Sequence, residues 1–153
     1  MRTFEKISFE QFKKDVKDDK KLYESYSIPK RETKYAAGYD FEALEDFVLK
    51  PGEIKKIPTG IKANMEEDEV LLLFVRSSQG FKYNVRMCNQ VGVIDKDYYN
   101  NTSNEGHMWV RLQNEGDKDY VVKKGDGILQ GMFTKFLTID NEKDNYQERE
   151  SDY

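Results

Sequence analysis

The residues best suited to chemistry lie in four short clusters: Ala37-Gly38-Tyr39-Asp40, Arg76-Ser77-Ser78, Asn89-Gln90-Val91-Gly92-Val93-Ile94-Asp95-Lys96-Asp97-Tyr98, and Gly125-Asp126-Gly127-Ile128-Leu129-Gln130. Asp95 closes the apolar run Gly92-Val93-Ile94, which could hold one carboxylate facing a cavity. A carboxylate within hydrogen-bond reach of a water can act as its general base; equally, Asp95 and Asp97 read as turn residues of a hairpin. Arg76, Ser77 and Ser78 follow the most apolar run of the chain, so they emerge at a strand end where hydroxyls and backbone N–H groups can meet an anion. A surface arginine with two turn serines is the plainer reading of the same residues. The Asn89 amide offers donors and an acceptor together, as recognition of a polar ring edge requires. Gln130 sits in an apolar stretch, where a buried amide needs partners, unless it faces solvent from an edge strand. Tyr98 alone reads as ordinary strand packing.

The remaining composition narrows the chemistry. Cys88 and His107 are the only residues of their types, which removes intramolecular disulfides, thiolate zinc clusters and multi-histidine metal centres. Catalysis is therefore expected to rest on carboxylates, with no dedicated metal ligands in the chain. Acidic residues (29) outnumber basic ones (25), so a partner held by its phosphate backbone, such as duplex nucleic acid, is not expected. No run approaches the roughly 20 apolar residues of a membrane span. The N-terminus carries charges throughout, and a soluble, cytoplasmic protein without membrane contact is expected.

The elements that must position these clusters are mostly strands. Ser8 and Gln11 have the form of a capping box, and Phe9, Phe12 and Val16 follow at helical spacing, which predicts a short helix over residues 8–20. Residues 20–33 are polar and irregular with Pro29 among them, and read as a surface lead-in. Beyond Thr33 the periodicity shortens: Phe47-Val48-Leu49, Ile54 to Ile57 and Ile61 to Ala63 are separated by turn residues. Val70 to Val75 is a continuous apolar run, as in a strand covered on both faces, while Met108, Val110 and Leu112 alternate. The expected organisation is a lead-in over 1–32, an all-β jelly-roll or barrel over 33–139, and a polar mobile tail over 140–153. That tail carries six acidic and two basic residues and little apolar area to offset the entropy of ordering. At 37% apolar residues in 153, the core is lean, which is in keeping with burial between subunits.

In this order and at these separations the four clusters resemble the first four motifs of the trimeric dUTP diphosphatase (dUTPase) family: A-G-Y-D, R-S-S/G, N-x-x-G-x-I-D-x-x-Y and G-D-x-x-x-Q. The resemblance covers residues 33 to 137, and Tyr98-Tyr99-Asn100 through Asn104-Glu105-Gly106-His107 is similar to the variant of Gram-positive bacteria and their phages. It implies a distorted jelly-roll or β-barrel of the dUTPase-like β-clip type. It further implies hydrolysis of dUTP to dUMP and pyrophosphate, which keeps uracil out of DNA and supplies dUMP for thymidylate synthesis.

The resemblance also assigns roles. Asp95 would deprotonate the water that attacks the α-phosphorus, and Asn89, with the backbone of Gly92, Val93 and Ile94, would read the uracil edge. Tyr98 would pack under the deoxyribose and exclude a 2′-hydroxyl. Ser77, Ser78 and Gln130 would meet the phosphate chain, and Arg76 would pair with Asp40 to brace the site. Mg²⁺ would be carried mainly by the substrate triphosphate. Three sites would lie between the subunits of a homotrimer, with Asp95, Asn89 and Tyr98 of one chain facing Arg76, Ser77, Ser78 and Gln130 of another.

Two departures shape the alternatives. The family's fifth motif, R-x-G-G-F-G-S-T, has no counterpart in Gln147-Glu148-Arg149-Glu150-Ser151-Asp152-Tyr153, and no glycine follows Gly131. Weaker closure over the nucleotide is expected, and a nucleotide-binding regulatory protein with little turnover is the alternative. The related dCTP deaminases continue R-S-S-x-x-R, whereas Phe81 stands at that second arginine.

Overall fold

The structure, a computed structural model, describes residues 1–144, 146, 147 and 149. In the strand-rich order that results, β1 (Thr3–Lys6) is followed by α1 (Phe9–Asp15), α2 (Lys20–Ser25), β2 (Tyr39–Glu42), β3 (Phe47–Leu49), β4 (Ile54–Pro58) and β5 (Ile61–Asn64). Then come β6 (Glu69–Phe74), α3 (Ser77–Tyr83), β7 (Val85–Met87), β8 (Gly92–Ile94), a 3-10 turn (Lys96–Tyr98), β9 (Trp109–Asn114), β10 (Tyr120–Val122) and β11 (Gly127–Lys135). This is the expected β architecture, since the helices among the described residues are short and the pairing is antiparallel throughout.

The strands form a four-stranded sheet in the order β2-β11-β6-β8, a three-stranded sheet β4-β9-β7, and the pairs β1-β5 and β10-β3. β6 is central in the larger sheet, so its apolar run is covered by neighbours on both edges and packs inward through Leu71 and Leu73. In β9, Val110 and Leu112 point into the core while Arg111 is exposed, the period-2 pattern of a strand with one wet face.

The N-terminal segment differs from its expected form. The predicted helix over 8–20 is shorter, because Val16 closes α1 and Asp19 caps a separate helix, α2, inside the stretch read as a connector. Asp19 Oδ1 accepts from Leu22 N at 3.0 Å, a local capping bond that the polar composition of the segment obscured. Ahead of α1, β1 pairs with β5 from Thr3↔Asn64 to Lys6↔Ile61, and Ile7, Phe12 and Tyr26 are buried in the same core as the sheets. Ser8 does cap α1, accepting from Gln11 N at 3.2 Å, but Gln11 does not complete the box. Its amide turns instead to Asp15 at 3.0 Å, and the Ser8 backbone N–H is taken by Glu105 at 2.6 Å.

His107, fully buried, fastens α1 to the barrel. Its Nε2 accepts from Gly60 N at 2.8 Å, so the ring proton lies on Nδ1 and is donated to Asp15, 2.6 Å away. Burial pushes the Asp15 carboxyl up, but the bonds from His107 and Gln11 outweigh it and leave it below its ordinary value.

Candidate active site

The segment that carries Asn89, Asp95 and Tyr98 makes a tight turn between β7, in the three-stranded sheet, and β8, in the four-stranded one, and so crosses from one sheet to the other. Gln90 takes a left-handed conformation (φ 68) and bonds Met87 O at 3.0 Å, which reverses the chain and leaves Asn89 exposed at the tip. β8 is the edge of the four-stranded sheet, with Gly92 opposite Leu73 and Ile94 opposite Leu71. Gly92 and Ile94 are buried, Val93 between them is 60% exposed, and Asp95 emerges into solvent as the chain turns. Tyr98 closes the turn from inside. It is 3% exposed, and its hydroxyl donates to His107 O at 2.7 Å and accepts from Asn104 Nδ2 at 2.7 Å, which fixes the ring inside the fold.

Asp95 has a partner that sequence reasoning did not foresee. Arg149, from the tail expected to be mobile, reaches Asp95 Oδ2 through Nη2 and Asp97 Oδ1 through Nε, each at 2.5 Å. The expectation for the tail over 140–153 otherwise falls in part on residues 145, 148 and 150–153, which lie outside the described residues. An open cleft of about 430 Å³ beside Asp95 is lined by Asn64, Glu67, Glu69, Asp97 and Tyr99.

Arg76, Ser77, Ser78, Asp40 and Gln130 form a second group. The β6–β11 ladder ends at Gln130↔Phe74, and the chain leaves it to start α3 with Arg76 as the extended N-cap residue. Ser77 and Ser78 are exposed in the first turn. Arg76 Nε lies 3.2 Å from Asp40 Oδ1 and its Nη2 lies 3.6 Å from Glu32 Oε2, so the guanidinium is shared by two carboxylates. Burial, with the like charge of Glu32, holds the Asp40 carboxyl above its ordinary value against the pull of Arg76. Gln130 donates to Val75 O at 3.1 Å.

Two glycines of the clusters make room for these side chains. A Cβ on Gly38 would lie 2.4 Å from Gln130 Oε1, and one on Gly127 would lie 2.5 Å from Arg76 Nη1. Both side chains lie flat across a backbone that only glycine leaves open.

Within one chain Asp95 stands apart from the second group. In the β6–β8 register Asp95 follows Ile94, which faces Leu71, while Arg76 lies beyond Phe74 at the other end of the same strand. The five steps from Leu71 to Arg76 correspond to roughly 17 Å of extended chain. A separate cleft of about 330 Å³, lined by Lys30, Glu32, Asp40, Arg76 and Gly127, opens beside the second group. Among the described residues no group of three or more His, Cys, Asp or Glu could hold a metal ion, and no helix is long and apolar enough to cross a membrane.

A dUTPase family model matches residues 24–152. The chain belongs to the dUTPase family. It is 51% identical over 124 residues to the deoxyuridine 5'-triphosphate nucleotidohydrolase of Lactococcus lactis, covering 81% of each chain. Among solved structures it is similar to the dUTPase of Streptococcus mutans, at 43% identity and TM-score 0.72, over 90% of this chain and 98% of that one. The fold extends to the dUTPase of phage phi11 of Staphylococcus aureus, 19% identical with TM-score 0.68 over 97% and 99% of the two chains, a protein whose mutant structure concerns coordination of a structural Mg(II) ion. In this chain Arg76 follows the central strand β6, and Asp95 follows the edge strand β8 at the opposite end of the β6–β8 ladder.

Proposed function

We propose that this chain hydrolyses dUTP to dUMP and pyrophosphate, with Asp95 as the general base. The observation that carries the activity is the likeness to the Lactococcus nucleotidohydrolase over four-fifths of both chains. In the step, a water oxygen bonds to the α-phosphorus as the bond from that phosphorus to the bridging β-phosphate oxygen breaks. The water proton goes to the Asp95 carboxylate and pyrophosphate leaves. Arg149 Nη2 holds Asp95 Oδ2 in the structure, so a water bound at that oxygen has to displace it.

Asn89, exposed in the turn between β7 and β8, reads the uracil edge together with the backbone of Gly92, Val93 and Ile94; cytosine, with its reversed donor pattern, would leave polar groups unpaired. Tyr98, with its hydroxyl held inside the fold, is the floor for the deoxyribose. Ser77, Ser78 and Gln130 meet the phosphate chain, and Arg76, braced by Asp40, supplies positive charge beside it. Mg²⁺ enters as part of the substrate, on triphosphate oxygens, in keeping with the ion's preference for phosphate and water over protein cages.

Asp95 and the Arg76 turn lie at opposite ends of the β6–β8 ladder, so a complete site needs a second copy of the chain. The outer face of the four-stranded sheet supports that reading: Met132, Leu72 and Val93 stand side by side across β11, β6 and β8, between buried residues that face the core. Such an apolar row on an outer sheet face suits subunit contact. The assembly is a homotrimer with its sites between subunits.

The test is pyrophosphate release from dUTP, with dTTP, dCTP and UTP in parallel, for the natural chain and for Asp95→Asn. Release from dUTP alone, lost in the variant while dUTP still binds, is expected. Unchanged turnover in the variant would remove Asp95 as the base, and dUTP binding without release by the natural chain would favour a regulatory protein.

A further inference from the structure

We propose that Gln79 is a positioning residue for the phosphate-binding turn Arg76–Ser78, setting its place relative to β11. The inference rests on the reading, made above, that Ser77 and Ser78 meet the phosphate chain. Once the β6–β11 ladder ends at Gln130↔Phe74, backbone pairing no longer fixes the distance between the serine turn and β11. Side chains take over. Gln79 Oε1 accepts from Arg76 N at 2.6 Å, the return half of a capping box, while its Nε2 donates to Ile128 O at 2.8 Å. In the opposite direction Gln130 Nε2 reaches Val75 O at 3.1 Å, and Arg76 Nη1 approaches Gly127 O at 3.5 Å. One amide therefore joins the residue that starts the turn to the strand that carries Gln130, two residues from Gln130 itself.

Gln79 is 1% exposed, so it touches no nucleotide and acts only through what it holds. α3 has seven residues, too few to hold a fixed position by its own helical stability, and tethers set where its first turn lies. An apolar residue at 79 would fill the same space and leave the Arg76 N–H and the Ile128 carbonyl buried without their partner. The serine turn would then shift against Gln130, which weakens contacts to phosphates but leaves β8, held by its own ladder to β6, and Asp95 at its end as they are. A merely structural role would lower stability without distinguishing the two halves of the ligand.

The experiment compares Gln79→Met, similar in volume but unable to make either bond, with Ser77→Ala and with Thr59→Val. Thr59 is another buried residue, in the turn between β4 and β5 and so outside β6, α3 and β11, whose hydroxyl donates to Met108 O at 2.6 Å. For each, KM and kcat for dUTP, the inhibition constant of deoxyuridine, which has no phosphates, and the unfolding midpoint are measured. The expected result for Gln79→Met is a rise in the dUTP KM of about tenfold or more, the scale of losing one to two buried bonds. The deoxyuridine constant is expected to stay within about twofold, and Thr59→Val to lower the midpoint without that split. If Ser77→Ala raises the KM and Gln79→Met does not, the role of Gln79 is overturned while the phosphate reading stands. If Ser77→Ala leaves the KM unchanged, the phosphate reading falls and this inference with it. An equal loss for dUTP and deoxyuridine in Gln79→Met also overturns the proposal. Should Gln79→Met not fold, Gln79→Glu, which keeps the acceptor for Arg76 N–H, is judged by the same dUTP-to-deoxyuridine ratio.

Discussion

Arg76 and Gln130 owe their placement to small neighbours as much as to their own chemistry. Gly38 and Gly127 are the positions where this is most testable. A methyl at Gly38 would collide with the flexible end of Gln130, so Gly38→Ala is expected to push that amide off Val75 O at a cost of about 1–2 kcal/mol, read from the urea midpoint. Gly127→Ala is expected to displace the Arg76 guanidinium and lower kcat/KM for dUTP by more than it lowers stability, because Arg76 then no longer lies against Asp40. At this scale the sequence was informative: Asp95, Asn89, Arg76 and Asp40 were singled out from type and spacing, and Arg76 does lie against Asp40. Glu32 and Arg149 were not, because each meets its partner through an ion pair that no local pattern announces. Gln79 was missed for a related reason, since its role as a cap is visible only once Arg76 is known to start a helix.

The N-terminal helix α1 is held to the barrel by two carboxylates, Asp15 against His107 and Glu105 against Ser8. Burial pushes the Glu105 carboxyl up, yet the Ser8 hydroxyl and backbone N–H and the Lys62 ammonium outweigh it and leave it below its ordinary value. A carboxyl depressed in the folded state contributes stability that is complete above its unfolded pKa and is lost as pH falls through the folded one. The tethers therefore act fully above about pH 4 and fade below it. The stability difference between the natural chain and Glu105→Gln, measured by urea unfolding, is expected to be full at pH 6 and to shrink as pH drops below about 4. Ser8→Ala, which also removes the cap, is expected to cost about 1 kcal/mol and to raise amide exchange in α1 first. Helix α1 itself was legible from its cap and apolar spacing. α2 and α3 were not, because Lys20–Ser25 and Ser77–Tyr83 lack the apolar stripe at helical spacing that Phe9, Phe12 and Val16 give α1.

For the whole molecule, the separation of Asp95 from the Arg76 turn along the β6–β8 ladder makes catalysis depend on assembly. Sedimentation is expected to give about three times the 18.1 kDa chain mass. Val93→Asp, which sets a charge in the apolar row of the outer sheet face, is expected to yield a smaller folded species without dUTP hydrolysis, since no single chain brings Asp95 to Ser77. A stable, active monomer would contradict the proposed arrangement of the site.

The sequence by itself determined the β character, the strand periods and the four clusters, because these are written in residue type and short-range spacing. The tertiary structure alone decided the rest: that β1 pairs with β5, that His107 fastens Asp15, and that Asp95 and Arg76 lie at opposite ends of the β6–β8 ladder. Those relations join residues far apart in the chain, and they follow from how strands register and side chains pack, which local propensity does not encode.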